Sequence, residues 1–271
     1  MRLSGRFRHG RLFDALMSIP LAAYLLLVVA LVAAVFLAIT PESISVAFKD
    51  GAIWSAVVLS LVTTTLSTFL SVCVGIPAGY MLSRRRFPGH DLADTLLDLP
   101  IVLPPLIMGL CVLLFFSTGF GKWLDRGLVP RGLFVYQPMG IVLVQFLVGA
   151  AFAIRVIKSG FDSLDASYED VAMTLGANRW QSFAKVALPN VAPSVVAGAV
   201  ISWARIFGLF GPVLLVAGTM RGRTEIMPTT IFLEASIGRI EVALVIGAMM
   251  ILISVLALAM FKKFGGKGSL W

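Results

Sequence analysis

The sequence predicts an all-α, polytopic membrane protein with six transmembrane helices, and three observations carry that expectation. Of its 271 residues, 59% are hydrophobic and only 13% charged, whereas soluble domains hold roughly 45–50% apolar and about 25% charged residues. The apolar residues gather into uncharged stretches of the roughly 20 residues that a helix needs to cross a hydrocarbon core of about 30 Å. These stretches do not alternate in character; residues 21–39 are apolar almost throughout. That excludes the short alternating segments of a barrel, and the composition excludes an ordinary soluble enzyme.

The first span is expected at 20–39. It follows a basic flank containing Arg2, Arg6, Arg8 and Arg11. Its apolar run is too long for the core of a cleaved signal, and no small-x-small site follows, so it reads as retained. The second lies within 51–82. The uncharged stretch 51–83 is too short for two spans and a turn, so it reads as one tilted or extended helix containing Pro77. The third is expected at 99–117, the fourth at 140–157, the fifth within 191–217 and the sixth at 242–261. This divides the chain into an N-terminal segment, 1–19, a single transmembrane domain, 20–262, and a tail, 263–271.

Lys and Arg set the orientation. The net charge is +8, which in a membrane chain reports cytoplasmic loops rather than nucleic-acid binding. With the N-terminus inside, cytoplasmic segments and the inner end of span 4 (Arg155) hold 14 Lys and Arg; the outer segments hold 7. Both termini are therefore expected in the cytoplasm, with Arg84, Arg85 and Arg86 at the inner end of span 2. Cys73 and Cys111 lie inside apolar runs without metal-ligand spacing and read as packed thiols.

No hydrophilic interruption reaches the size of a soluble domain; the longest are 158–189 and 218–241. No catalytic residue, metal site or cofactor is expected in this chain. His9 and His90 fall on the cytoplasmic side, and the six spans contain no Asp or Glu. That argues against a membrane-embedded enzyme and against a secondary transporter, which needs intramembrane acids for its coupling ions.

The loop between spans 4 and 5, residues 162–189, reads as two short helices joined at Gly176. Residues 165–167 can cap the first, with Glu169 and Asp170 favourable in its first turn. Gly176, Ala177 and Asn178 suit a helix stop and restart. The second helix, 179–186, carries Trp180, Phe183 and Ala187 on one face. Taken alone, this fits an amphipathic segment on the membrane surface.

Its spacing, however, resembles the EAA loop of permease subunits of bacterial ATP-binding-cassette (ABC) importers: E-A-A, three residues, Gly, nine residues, I-x-L-P. Asp170-Val171-Ala172 takes the first place, Gly176 the glycine, and Val186-Ala187-Leu188-Pro189 the last. Asp for Glu and Val for Ala are the departures. The resemblance implies the type I ABC importer permease fold, and a loop that couples the spans to a separate ATPase through Glu169, Asp170, Ala172, Leu175, Gly176, Ala177, Leu188 and Pro189. It also implies the partners: two ATPase subunits that carry ATP and Mg, a second permease subunit, a periplasmic or lipid-anchored binding protein, and the lipid of the bacterial inner membrane. This chain lacks a nucleotide loop of its own, since at Gly121-Lys122 the first glycine is replaced by Phe116 and the Ser/Thr by Trp123.

Two further segments look like the molybdate, tungstate and sulfate permeases of that family. Leu99-Pro100-Ile101-Val102-Leu103-Pro104-Pro105 reads by itself as a structural kink; its similarity to their L-P-x-V-L-P-P element implies a gate or cavity lining. Residues 203–218 are similar to F-A-R-x-x-G-E-F-G-x-x-x-x-V-A-G, with Leu209 where Glu is common. Arg205 is the one basic residue deep inside an uncharged stretch, either lining a pathway or satisfied structurally. Pro104, Pro105, Ser202, Arg205, Gly208, Gly211 and Pro212 are thus expected along the pathway, with Gly208, Gly211 and Pro212 allowing close approach across a dimer axis. The implied cargo is an oxyanion; polyamine, iron(III) and organic-anion importers are the alternatives. The outer segment 221–234 is expected to hold a short helix whose charges form a contact surface or a solvated rim.

Overall fold

The computed structural model describes residues 4–127, 129–130 and 132–264, and all regular structure among them is helical. The expected tail therefore lies, beyond Phe264, outside the described residues. Helix α1 (Ser4–Leu37) leads into α2 (Pro41–Lys49) and α3 (Gly51–Arg84). Thr40 caps α2 in a reciprocal box with Ser43, and Asp50 caps α3 by accepting the Ala52 N–H at 2.9 Å. Then follow α4 (His90–Val102), α5 (Pro105–Ser117), α6 (Gly119–Arg126), α7 (Pro138–Ser163), α8 (Ser167–Thr174), α9 (Arg179–Ser182), α10 (Leu188–Phe207), α11 (Gly211–Ala217), α12 (Met227–Ser236) and α13 (Ile240–Phe264).

The core is α3 packed along α7, with α10 closing the third side. Apolar side chains gain nothing from burial when lipid is the alternative, so these helices associate through close backbone approach and interhelical hydrogen bonds. Gly149 of α7 sits between the hydroxyls of Ser71 and Ser202, and Gly160 lies against Ser194. Buried Gln145 donates to Thr64 Oγ1 at 3.3 Å and to the Ile206 carbonyl at 3.4 Å, and Ser67 donates to the Val142 carbonyl at 3.1 Å.

Five helical segments are long and apolar enough to cross a membrane: Leu16–Leu37, Gly51–Arg84, Pro138–Ser163, Arg179–Phe207 and Ile240–Phe261. The second expected span is indeed one unbroken helix through Pro77. The third differs from expectation. Residues 99–117 are not one helix but the end of α4 and all of α5, bent by 113° at Leu103-Pro104. Pro104 and Pro105 supply no N–H and push the preceding residue into extended backbone, so the helix cannot continue. A sixth span exists only if this bent pair counts as one.

The fifth span also differs. Its helix begins at α9, runs through a π-helical turn, Phe183–Ala187, into α10, and stops at Phe207. Leu188 N–H reaches back to the Phe183 carbonyl, and Pro189 beyond it has no N–H to donate, which favours the wider turn. The expected separate second loop helix is therefore the first turns of this span, and residues 211–217 are a distinct helix.

Thr40, just past α1, donates to Glu241 in the first turn of α13 at 3.0 Å, so these two helices run antiparallel. The described starts and ends of the chain thus leave by one end of the bundle. That end also carries the segments 84–98 and 158–190, and is called the basic end below; the opposite end carries α2 and α12.

Candidate functional site

At the basic end, α7 stops at Ser163 and the chain turns through Leu164. Asp165 Oδ1 accepts the Ser167 N–H at 2.9 Å, which starts α8 and holds the Asp165 carboxyl below its usual pKa. Helix α8 ends because Gly176 takes φ = +93°, a left-handed value that only glycine adopts without strain. Its N–H and that of Ala177 bond back to the carbonyls of Met173 and Ala172, both at 3.0 Å. Asn178 then caps α9 in a reciprocal box with Gln181. The stop and the restart fall where the sequence placed them.

The resulting tip is exposed and apolar. Leu175 is 83% exposed and Trp180 73%, with Tyr168, Val171 and Asp170 exposed beside them. Gly176 is exposed, and Ala172 and Ala177 are half-buried behind it. Leu188 and Pro189 are not at the tip; they open α10. Glu169 faces the other way and is buried. It accepts Arg84 Nε–H at 2.8 Å and the Tyr80 hydroxyl at 2.7 Å, both from α3. Arg84 Nη2 also donates to the Leu164 carbonyl at 2.8 Å, and the Ser182 hydroxyl donates to the Glu169 carbonyl at 3.2 Å. Beneath them Tyr80 packs edge-on to Phe161 and Phe183.

The two broken spans meet in a cleft of about 480 Å³. Pro104, Pro105, Arg205, Gly208 and Gly211 all line it, brought together from the start of α5, the end of α10, the linker after it and the start of α11. Arg205 is in the last turn of α10 rather than mid-helix. It is exposed, with its guanidinium 5.0 Å from the centre of the Phe152 ring and no carboxylate partner among the described residues. Ser202 and Pro212 do not reach the cleft. Ser202 is buried and donates to the Gly149 carbonyl at 2.5 Å. Pro212 is buried against Gly109 of α5, and Gly211 lies against Leu106, so the close approach at these positions is within the chain.

Two charge clusters were not apparent from the sequence. Arg155 of α7 clasps the Asp98 carboxylate through two bonds of 2.5 and 2.6 Å, the Asp94 carboxylate through one of 2.9 Å and the Asp94 carbonyl through one of 2.6 Å, fixing α4 to the core. The signal was present: Asp91, Asp94 and Asp98 recur at helical spacing, and 140–157 contains one charge, Arg155. At the opposite end, helix α12 starts inside the expected segment and runs two residues past it, to Ser236, but the acids of that segment are not a solvated rim. Glu225 and Glu234 are 1% and 0% exposed. Arg221 pairs with Glu234, while neither Glu225 carboxylate oxygen has a hydrogen-bond partner. Burial pushes the Glu225 carboxyl up from its usual value.

Residues 71–266 match the family described as "Binding-protein-dependent transport system inner membrane component". The sulfate transport system permease protein CysT of Escherichia coli K12 is 34% identical over 178 residues, covering 65% of this chain and 63% of that protein. The molybdate/tungstate transport system permease protein WtpB of Thermococcus kodakarensis is 36% identical over 62% of each chain. The match thus spans less than two thirds of these two relatives. Among solved structures, a bacterial ABC transporter involved in the import of the acidic polysaccharide alginate superposes with a TM-score of 0.75 at 19% identity, over 97% of this chain and 99% of that one.

Proposed function

The chain belongs to the family of binding-protein-dependent transport system inner membrane components, and from that premise we propose that it is the permease subunit of a type I ABC importer that carries an oxyanion. It sits in the bacterial inner membrane with both termini in the cytoplasm, so the basic end is the cytoplasmic one. It forms the translocation pathway together with a second permease subunit. Two ATPase subunits hydrolyse ATP beneath it, holding the nucleotide and Mg, and a periplasmic or lipid-anchored binding protein delivers the cargo from the other side. Molybdate, tungstate or sulfate is the cargo class, supported by the names of relatives above 30% identity.

The observation that carries this reading is the α8–Gly176–α9 tip. Large apolar side chains stand exposed around the Gly176 turn, on α8 and on the first turn of the α9–α10 helix, rimmed by Asp170. Such a patch fits a protein groove better than water. The cleft at Arg205 supplies the other half: a guanidinium cation beside two helix breaks. Gly176→Trp forces a bulky residue into a left-handed conformation, and Asp170→Lys reverses the rim charge. Each is expected to weaken retention of the ATPase in the purified complex by about tenfold and to abolish uptake, while the chain still inserts. Normal ATPase retention and uptake in both variants would refute the assignment.

A further inference from the structure

We propose that the Glu169–Arg84 ion pair, completed by Tyr80, is the joint through which the 162–189 loop drives α3, making Glu169 and Arg84 positioning residues for transport rather than part of the ATPase-docking surface. This rests on the coupling reading of the loop and deepens it. Motion of the tip can pass along the chain in two directions, back through Leu164 into α7 and forward through the π-helical turn into α10. Helix α3 has no such covalent route, because it ends at Arg84, far from the loop in sequence. Beyond its packing along α7, its buried polar connection to the loop is the clasp.

The geometry suits that role. The Glu169 and Arg84 side chains are 8% and 14% exposed, and removing one partner would strand the other charge away from water, so the clasp holds as a unit. A single guanidinium bonds both α8, at Glu169, and the turn out of α7, at the Leu164 carbonyl. The Ser182 hydroxyl ties the backbone of Glu169 to the opening of the α10 arm. One cluster therefore gathers both covalent arms and fastens them to α3.

Helix α3 then runs without a break for 34 residues, about 51 Å at 1.5 Å per residue, to its Asp50 cap. Near that far end, Ser60 Oγ accepts the Met227 N–H of α12 at 2.8 Å, and Asp50 lies 3.9 Å from Arg221. A contiguous rigid path thus joins the loop to the opposite end of the molecule, and the clasp, with the Asp162–Ser83 contact beside it, is the polar joint between that path and the loop.

The test uses the full chain, purified with its ATPase and binding protein and reconstituted in liposomes, with labelled molybdate and labelled sulfate as cargo probes. Glu169→Gln, Arg84→Gln, Tyr80→Phe and the exchange Arg84→Glu with Glu169→Arg are compared. The two charge variants are expected to keep the ATPase in the complex and to consume about tenfold more ATP per ion transported. Tyr80→Phe should show a smaller rise, and the exchange should restore part of the ratio, which a general loss of stability would not do. An unchanged ATP-to-ion ratio in the single variants, loss of the ATPase from Glu169→Gln, or no recovery in the exchange would overturn the proposal. If neither charge variant assembles, Tyr80→Phe decides, and an unchanged ratio there overturns it. A wild-type complex that moves neither ion, or an Asp170→Lys variant that keeps its ATPase, would instead strike the reading on which the clasp rests.

Discussion

Arg205 lies where two helices stop, with its charge over an aromatic face and a cleft in front of it. A guanidinium offers planar, paired donors and does not lose its proton, which matches the oxygens of a tetrahedral anion. A transient contact there would offset the loss of water as the ion enters the pathway, provided that it stays weak enough for release. Arg205→Ala is expected to lower uptake on the order of tenfold, the value of one charge-assisted hydrogen bond, with complex assembly and binding-protein affinity unchanged. Arg205→Lys should recover only part, because it keeps the charge without the fork. Full uptake by an assembled Arg205→Ala complex would end the transport role. A complex that fails to assemble would show Arg205 to be structural, as the sequence alone equally allowed. Ser202 is the instructive contrast. It lies three residues away on the same helix, yet its hydroxyl is spent on the Gly149 carbonyl in the α7–α10 contact, so a motif neighbour need not share a site.

At the scale of elements, glycine separates propensity from packing. Gly160 and Gly247 are both interior to long helices, α7 and α13, and alanine at either should gain roughly 0.4–1 kcal/mol from a less flexible unfolded chain. A Cβ at Gly247 would meet nothing within 4 Å, whereas at Gly160 it would collide with the Ser194 side chain. Gly247→Ala is therefore expected to raise the unfolding temperature in detergent slightly. Gly160→Ala should lower it by several degrees, as overpacking costs about 1–3 kcal/mol. Two shifts of the same sign would show that the α7–α10 contact is not the tight one. Position along the chain was legible for such helices because hydropathy reports what lipid will accept. Direction was not. Residues 99–117 and 191–217 are apolar on both sides of their breaks, so a hydropathy reading carries straight through them, although Pro104, Pro105, Gly208 and Pro212 marked the places. The loop was legible at Gly176 and Asn178, whose side chains act locally. Its continuity with α10 was not, because a π-helical turn leaves no mark on the apolar period. The role of Glu169 was hidden for a similar reason: its partners, Tyr80 and Arg84, are more than eighty residues away.

For the whole molecule, orientation follows from charge and architecture acting together. The segments 84–98 and 158–190 share one end of the bundle with the described starts and ends of the chain, and these segments carry the excess of Lys and Arg. An inner leaflet retains such loops, so the basic end should face the cytoplasm. The structure decides which positions can report this. Thr224 lies in the outer segment by sequence but is fully buried, so a cysteine there would stay silent whichever side it faced. Lys122 and Arg223 are exposed at one end, and Ser167 and Leu175 at the other. Single cysteines at these four positions, in a background with Cys73 and Cys111 replaced by Ala, should divide cleanly. In sealed cells an impermeant maleimide is expected to label the Lys122 and Arg223 replacements and to spare the Ser167 and Leu175 replacements until the membrane is opened. Labelling of the Ser167 position from outside would invert the molecule. It would also remove the ATPase-facing role of the tip, since the exposed apolar surface at Leu175 and Trp180 would then point away from any source of ATP.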